Sequence, residues 1–243
     1  MDKTRNHRTS AIPAPASHEN TLVRLSTLAS SHLADACTVC GGSTGCFIAS
    51  LAPPNPSIRC SGRLVVVEPM RGGHWLNSAM QAAVPRDVVM VPFCVPELRF
   101  SDLQTLEEAE VGGLLLLANK LPRFPLKAAC LPIFGLSDDR VEDGISQLGD
   151  PNRATPNPFY LSEYFVVADA DGIVVVPGDR IENVMPSALA IRERKDRVFG
   201  AMCAGSSLRA QTYFPAFLSV QRVLPDYSFR THLSLHGSDH DLL

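Results

Sequence analysis

Apolar residues in this chain fall into two alternating rhythms. Leu22, Leu25, Leu28, Leu33 and Ala36 lie mainly three or four positions apart, which predicts a helix from Leu22 to Cys40 that stops at Gly41-Gly42. After a Pro-rich connection at 53–56, the run from Ile58 to Glu68 predicts a strand. Helical spacing returns over His74–Val84, with Trp75, Ala79, Met80 and Ala83 as the inner face. It returns again over Glu97–Val111. Short apolar runs at Val88–Val91, Leu114–Leu117 and Leu131–Phe134 predict buried strands, with a short helix near Lys127. Ser137 to about Tyr160 is polar and rich in turn residues, so it predicts a long loop.

Two β-branched runs then flank Asp169-Ala170-Asp171-Gly172, predicting a hairpin over Phe165–Asp179. Asp169 and Asp171 read as turn formers, with a metal loop as the alternative. A long helix from Ile181 to about Ala204 follows, capped by Gly205. From Thr212 the pattern weakens into an aromatic and His-rich tail.

Short strands alternating with helices predict an α/β domain over roughly residues 26–210. A flexible N-terminal tail (1–25) and a C-terminal extension (211–243) flank it. The run from Gly200 to Gly205 fits neither common phosphate-loop pattern, so a nucleotide fold is disfavoured.

Composition narrows the function classes. A hydrophobic content of 45%, a charged content of 19% and a mean hydropathy of +0.06 describe a soluble globular protein of 243 residues. A formal charge of -3 argues against nucleic-acid binding by bulk electrostatics. The basic run Arg192-Glu193-Arg194-Lys195 is interrupted by acid and reads as a solvated helix face. No apolar run approaches the roughly 20 residues of a membrane helix. Seven cysteines, several within apolar runs and none behind a secretory signal, fit a reducing cytoplasm.

Five segments carry a further signal by their order and spacing. They are Leu33-Ala34-Asp35-Ala36, Cys60–Val67 (Cys-Ser-Gly-Arg-Leu-Val-Val-Val), Val84–Val91 (Val-Pro-Arg-Asp-Val-Val-Met-Val), Ala168–Pro177 and Ala204–Arg209. Together the set resembles the RraA-like family, which includes 4-hydroxy-4-methyl-2-oxoglutarate aldolases and the regulator of ribonuclease activity A. The resemblance implies a swivelling β/β/α domain that assembles with itself as a trimer or hexamer, with sites between subunits. It also implies a carbon–carbon lyase using a divalent metal, Mg²⁺ or Mn²⁺, on a small carboxylate, a 2-oxo acid. The metal would stabilise the enolate left by bond cleavage. The ribonuclease-regulating branch implies the alternative, a non-catalytic scaffold or regulator with a protein partner.

The family's strand ending Gly-Leu-Val-x-Asp-Gly-x-x-Arg-Asp matches Gly113–Pro122 here, where Leu121 and Pro122 replace the Arg-Asp pair. The Gly-rich loop expected after Val91 is replaced by Pro92–Pro96, which has no glycine. Two prolines there also remove amide donors. Lys120 and Arg123 flank the replaced pair and are the candidates for substrate binding and catalysis. His74 opens a helix facing the site region and is the candidate acid or base in a His–carboxylate pair. Asp102 and Asp196 are the metal candidates, with Asp102 also reading as an N-terminal helix charge. Glu193 and Asp196 lie where the family takes an acid from a neighbouring subunit. Cys37-x-x-Cys40 with Cys46 and His32 spells a zinc spacing, and His236 with His240 a second metal-capable pair. Packing thiols and a solvent tail are the plainer readings.

Overall fold

The computed structural model of the chain describes residues 16–41, 45–47, 49–51, 58–67, 74–91, 98–117, 130–136 and 164–236. Helices α1 (Ala16–Leu25) and α2 (Ser30–Val39) lead into two three-residue strands, β1 (Gly45–Phe47) and β2 (Ala49–Leu51). Next come β3 (Cys60–Val66), α3 (Trp75–Ala82), β4 (Val88–Val91), α4 (Phe100–Glu108), β5 (Gly113–Leu117) and β6 (Ile133–Leu136). The hairpin β7 (Tyr164–Ala168) and β8 (Ile173–Pro177) precedes the long helix α5 (Gly178–Cys203). Three short helices end the described chain: α6 (Leu208–Gln211), α7 (Phe214–Gln221) and α8 (Phe229–Leu235).

The strands form one mixed sheet in the order β1-β8-β7-β3-β4-β5-β6-β2. Only residue 48 separates β1 from β2, and three consecutive Cα atoms span at most about 7 Å. The two ends of the sheet therefore meet, and the sheet curls closed. Strand β3 is where its character changes. Cys60–Arg63 pair antiparallel with β7, while Leu64–Val66 pair parallel with β4.

Closure explains why the strands read as continuous apolar runs. Val88, Met90, Leu115, Phe134, Val166 and Val175 point into one interior core. Their neighbours on the outer face are covered by helices. Phe165, Val167, Val174 and Val176 pack with α1, α2 and α5, while Val89, Val91, Leu114 and Leu116 pack with α3 and α4. Both faces are thus buried, and period-2 polarity disappears.

The turn before β4 fixes the switch in β3. Arg63 donates two hydrogen bonds to Asp87, Nε to Oδ1 at 3.1 Å and a terminal nitrogen to Oδ2 at 2.6 Å. The backbone amide of Val84 donates to the same Oδ2 at 2.9 Å. Arg86 holds φ +71° in the left-handed region, which favours glycine. Its carbonyl is wedged between two strands. A Cβ on Gly112 would stand 2.8 Å from that oxygen, and one on Gly62 closer still.

Several expectations change. The helix expected over Leu22–Cys40 is two helices, because Arg59 takes the carbonyls of Ser26 and Leu28 at 2.6 and 2.7 Å. Asp169 then starts α2 afresh. Helix α1 begins inside the stretch expected as tail, and Leu25 is fully buried. Met80 faces outward, 38% exposed, so the buried face of α3 is Trp75 and Ala79. Strands β1 and β2 were not expected at all. The helix near Lys127 and the loop from Ser137 to about Tyr160 lie outside the described residues.

The expected aromatic tail is helical over 208–235. Its centre is His232, fully buried against Phe217 and Phe229. His232 Nε2 lies 3.2 Å from the Thr212 carbonyl, which can only accept, so Nε2 carries the proton. Its Nδ1 lies 3.3 Å from the Tyr227 hydroxyl. No described helix is long and apolar enough to cross a membrane.

Two substitutions at the β4 turn should act in opposite directions. Asp87→Ala strands a half-buried guanidinium and should cost about 3 kcal/mol. Arg86→Gly removes left-handed strain and should add about 1 kcal/mol. Urea denaturation monitored by circular dichroism reads both.

Candidate functional site

In parallel α/β sheets, open or closed, ligands gather at the carboxyl ends of the strands, where the following helices begin. Here β3, β4, β5 and β6 run parallel, so α3 and α4 both start at that edge. His74 is the N-cap of α3, and its Nδ1 accepts from the Leu76 amide at 3.4 Å. Asp102 sits in the first turn of α4 and is buried, with Oδ2 accepting from the Arg99 amide at 3.0 Å. The two helix starts bring His74 Nε2 to 4.0 Å from Asp102 Oδ2. That is an ion-pair distance for an imidazolium and too long for a hydrogen bond. The imidazole is 44% exposed, so the pair opens to solvent on its His side.

Among the described residues, the other candidates are not brought to this edge. Lys120 and Arg123 lie outside the described residues. Asp196 stands exposed on α5, 4.0 Å from Arg192 Nε one turn earlier, and Glu193 is exposed beside it. Lys195, on the same helix, reaches back to Asp35 of α2 at 2.8 Å. Strand β5 presents Leu114, Leu115 and Leu116 to the two cores, with no polar side chain among them.

Of the hairpin acids, Asp169 has structural partners. Asp169 accepts from the Ser30 amide at 2.7 Å, the Ser30 hydroxyl at 2.5 Å and the Asp171 amide at 3.0 Å. It therefore caps α2, whose own N-cap, Ala29, has no side-chain acceptor. Cys60 lies buried in the interior core, and burial, with the Asp169 charge, pushes its thiol up to about 12. It stays protonated and unreactive.

His32 is also occupied locally, its Nδ1 accepting from the Ala29 amide at 3.2 Å. Cys37 is buried and Cys40 is exposed, 3.6 Å from the Ser187 hydroxyl. The side chain of Cys46 and residue His240 lie outside the described residues, and His236 Nδ1 bonds the His232 carbonyl at 3.0 Å. Among the described residues, no three His, Cys, Asp or Glu side chains gather as a metal-binding group. Among the described residues at the sheet edge, Asp102 and His74 fall short of the oxygen-rich shell that Mg²⁺ or Mn²⁺ takes.

Sequence reasoning passed over one polar atom in this region. Trp75 reads as an inner-face residue, and it is one, only 5% exposed. Its indole nitrogen, however, is buried with no hydrogen-bond partner among the described residues. A tryptophan directly after a capping histidine is the signal that could have drawn notice.

The chain is structurally similar to Streptomyces coelicolor RraAS2, described as an unusual member of the RNase ES inhibitor RraA protein family. The TM-score is 0.50 at 16% identity, covering 79% of this chain and 100% of that one. The fold is RraA-like. An uncharacterized protein from Pseudomonas syringae pv. tomato str. DC3000 matches with a TM-score of 0.53 at 16% identity, over 82% of this chain and 97% of that one. A structure described as novel cellulases from microbes associated with the gut ecosystem matches at 0.50 and 12% identity, over 78% of this chain and 90% of that one. Such likenesses give the RraA-like scaffold, since one fold hosts many chemistries. No family model and no curated protein matches the sequence.

Protonation of His32 should be visible in stability. Burial first, and then the Lys195 charge, hold its imidazole below the ordinary value. The folded state thus binds protons less readily than the unfolded one. Stability is fully present above about pH 6.5 and falls as pH drops from there toward the folded pKa. His32→Gln keeps an acceptor for the Ala29 amide and should flatten that fall in urea midpoints measured from pH 7.5 to 4.5.

Proposed function

We propose that this protein is an RraA-like scaffold that acts by binding, as a regulator of a protein partner, with little or no aldolase turnover. The observation that carries this reading is the state of the sheet edge where RraA-like lyases would work. Strand β5 is leucine from Leu114 to Leu117, and the buried Asp102 spends Oδ2 on the first turn of its own helix. In the sequence, Leu121 and Pro122 follow that strand where an Arg-Asp pair would grip a carboxylate and a metal. Neither side chain offers a donor or a hard-cation ligand. Self-association as a trimer or hexamer belongs to the same proposal, and a regulating role is what the name of the Streptomyces neighbour says of that protein.

The proximity of His74 to Asp102 favours a second reading. A solvent-facing imidazole beside a buried carboxylate can move a proton, and a lyase diverging from the family would use it as its acid or base. Lys120 and Arg123 would then hold the substrate carboxylate, with Mg²⁺ or Mn²⁺ as cofactor.

Pyruvate release from oxaloacetate or 4-hydroxy-4-methyl-2-oxoglutarate separates the two. Under saturating Mg²⁺ or Mn²⁺ it should stay at the buffer-plus-metal background. Turnover that chelator abolishes, and that Lys120→Ala, Arg123→Ala or His74→Ala lowers at least tenfold, would establish the lyase instead.

A further inference from the structure

Helix α5 meets the sheet through Ile181, Val184, Met185, Ala188 and Ile191. Past Ile191 it runs on to Cys203, roughly 18 Å at the helical rise. There Lys195 reaches Asp35, and the Val198 carbonyl accepts from the Gln211 side chain at 3.4 Å. Val198 is buried outside the clusters that cover the sheet, so this end of α5 supports the C-terminal helices instead. Within 204–236 only Thr212, Phe217, His232 and Leu233 are buried. So small a core leaves apolar side chains outside it. Among the described residues, twelve large apolar side chains are exposed, and seven of them fall between Phe199 and Leu235. Phe199 (67% exposed) and Met202, three positions apart, share one face of α5. Val223 (79% exposed) and Leu224 stand just past the end of α7.

The same stretch is basic in an acidic chain. Residues 192–236 hold seven Lys and Arg against three Asp and Glu, a balance of +4. The whole chain stands at -3, so the remainder stands at -7. Lys195 is matched by Asp35, and Arg192 stands beside Asp196. Among the described residues, no carboxylate lies at ion-pair distance from Arg209, Arg222 or Arg230. Arg222 directly precedes the exposed Val223 and Leu224, and Arg209 lies over the Phe214 ring at 5.2 Å. We propose that this C-terminal arm, 192–236, is the face that docks a protein partner, and that it takes an acidic segment carrying apolar side chains. The partner's carboxylates answer the unmatched arginines, and its apolar side chains cover Val223, Leu224 and the Phe199–Met202 face. Aliphatic anchors offer no ring for bases to stack on, which disfavours single-stranded nucleic acid. A bilayer surface takes one amphipathic helix with a continuous apolar face, whereas these anchors are divided between the end of α5 and the turn after α7. The proposal rests on the binding reading of function.

The probe is a fluorescein-labelled peptide in which Glu and Asp alternate with Leu and Phe, titrated with the full chain by fluorescence anisotropy. One counterpart carries Lys for every acid and another Ser for every apolar residue. The acidic apolar peptide should bind saturably, each counterpart at least tenfold more weakly, and added salt should weaken the complex. The double variant Arg222→Glu, Leu224→Ser should lose about tenfold in affinity, the scale of one covered leucine with one rim charge. Both positions are exposed, so its Tm should match the wild type. Val23→Ser, at an exposed position on α1, should leave affinity unchanged. Absence of peptide binding would overturn the proposal, as would equal affinity for the Ser counterpart, which is ion exchange only. Two further results would give the arm to another occupant. One is tighter binding to phosphatidylglycerol vesicles than to the peptide, lost in the double variant. The other is an oligomer that the double variant dissociates in sedimentation velocity while no peptide binds. Peptide binding undiminished in the double variant sinks this proposal and leaves the binding reading in place on another face, whereas metal-dependent pyruvate release removes that reading itself.

Discussion

Strand β3 must serve two geometries, and the Arg63–Asp87 pair holds it to both. Its first four residues belong to an antiparallel ladder and its last three to a parallel one. The guanidinium leaves β3 at the last antiparallel position and forks onto the carboxylate just ahead of β4. Two halves, the hairpin with its helices and the parallel strands with theirs, are registered through that contact. The Arg86 carbonyl, gripped between two glycine positions, lets the turn come close enough for the fork to form. Packing alone would not fix this register, because both cores accept Val and Leu at many settings.

Much of this architecture is written locally. Val88–Val91 reads as a strand to the residue, and the β7–β8 hairpin follows from two β-branched runs around Asp-x-Asp-Gly. What escapes the sequence is set from far away. The break between α1 and α2 has no strong local breaker. It is made by Arg59, more than 30 positions on, and by Asp169, 139 positions from Ser30. Strands β1 and β2 are three residues each, too short to show a period. In the last three helices, aromatic and histidine side chains blur the hydrophobic rhythm, and the organising residue is a polar one, His232.

The candidate site was legible by residue and not by relation. His74 and Asp102 each stand out in the sequence as the opening of a helix. That they meet depends on two consecutive helices starting at one sheet edge, which is a property of the parallel sheet. Asp169, in the most metal-like motif in the chain, instead secures a helix and a turn. Trp75 shows the converse. Its apolar spacing predicted burial correctly, while its one polar atom fell outside any pattern of hydrophobic positions. An RraA-like frame here carries an acid, Asp169, that caps a helix, and apolar residues along β5.

The closing of the sheet by β1 and β2 also bears on how the chain reaches this form. Both strands lie within the first 51 residues, yet β2 waits for β6 at 133–136 and β1 for β8 at 173–177. A chain emerging from its N-terminus makes the seam early and cannot seal it until most of the protein exists. Contacts so distant in sequence carry a large loop-closure cost and come late in folding. Until then, the outer edges of β6 and β8 stay open as they form. The seam is therefore the natural place for a chaperone to hold this protein, and for strand exchange to begin when none does.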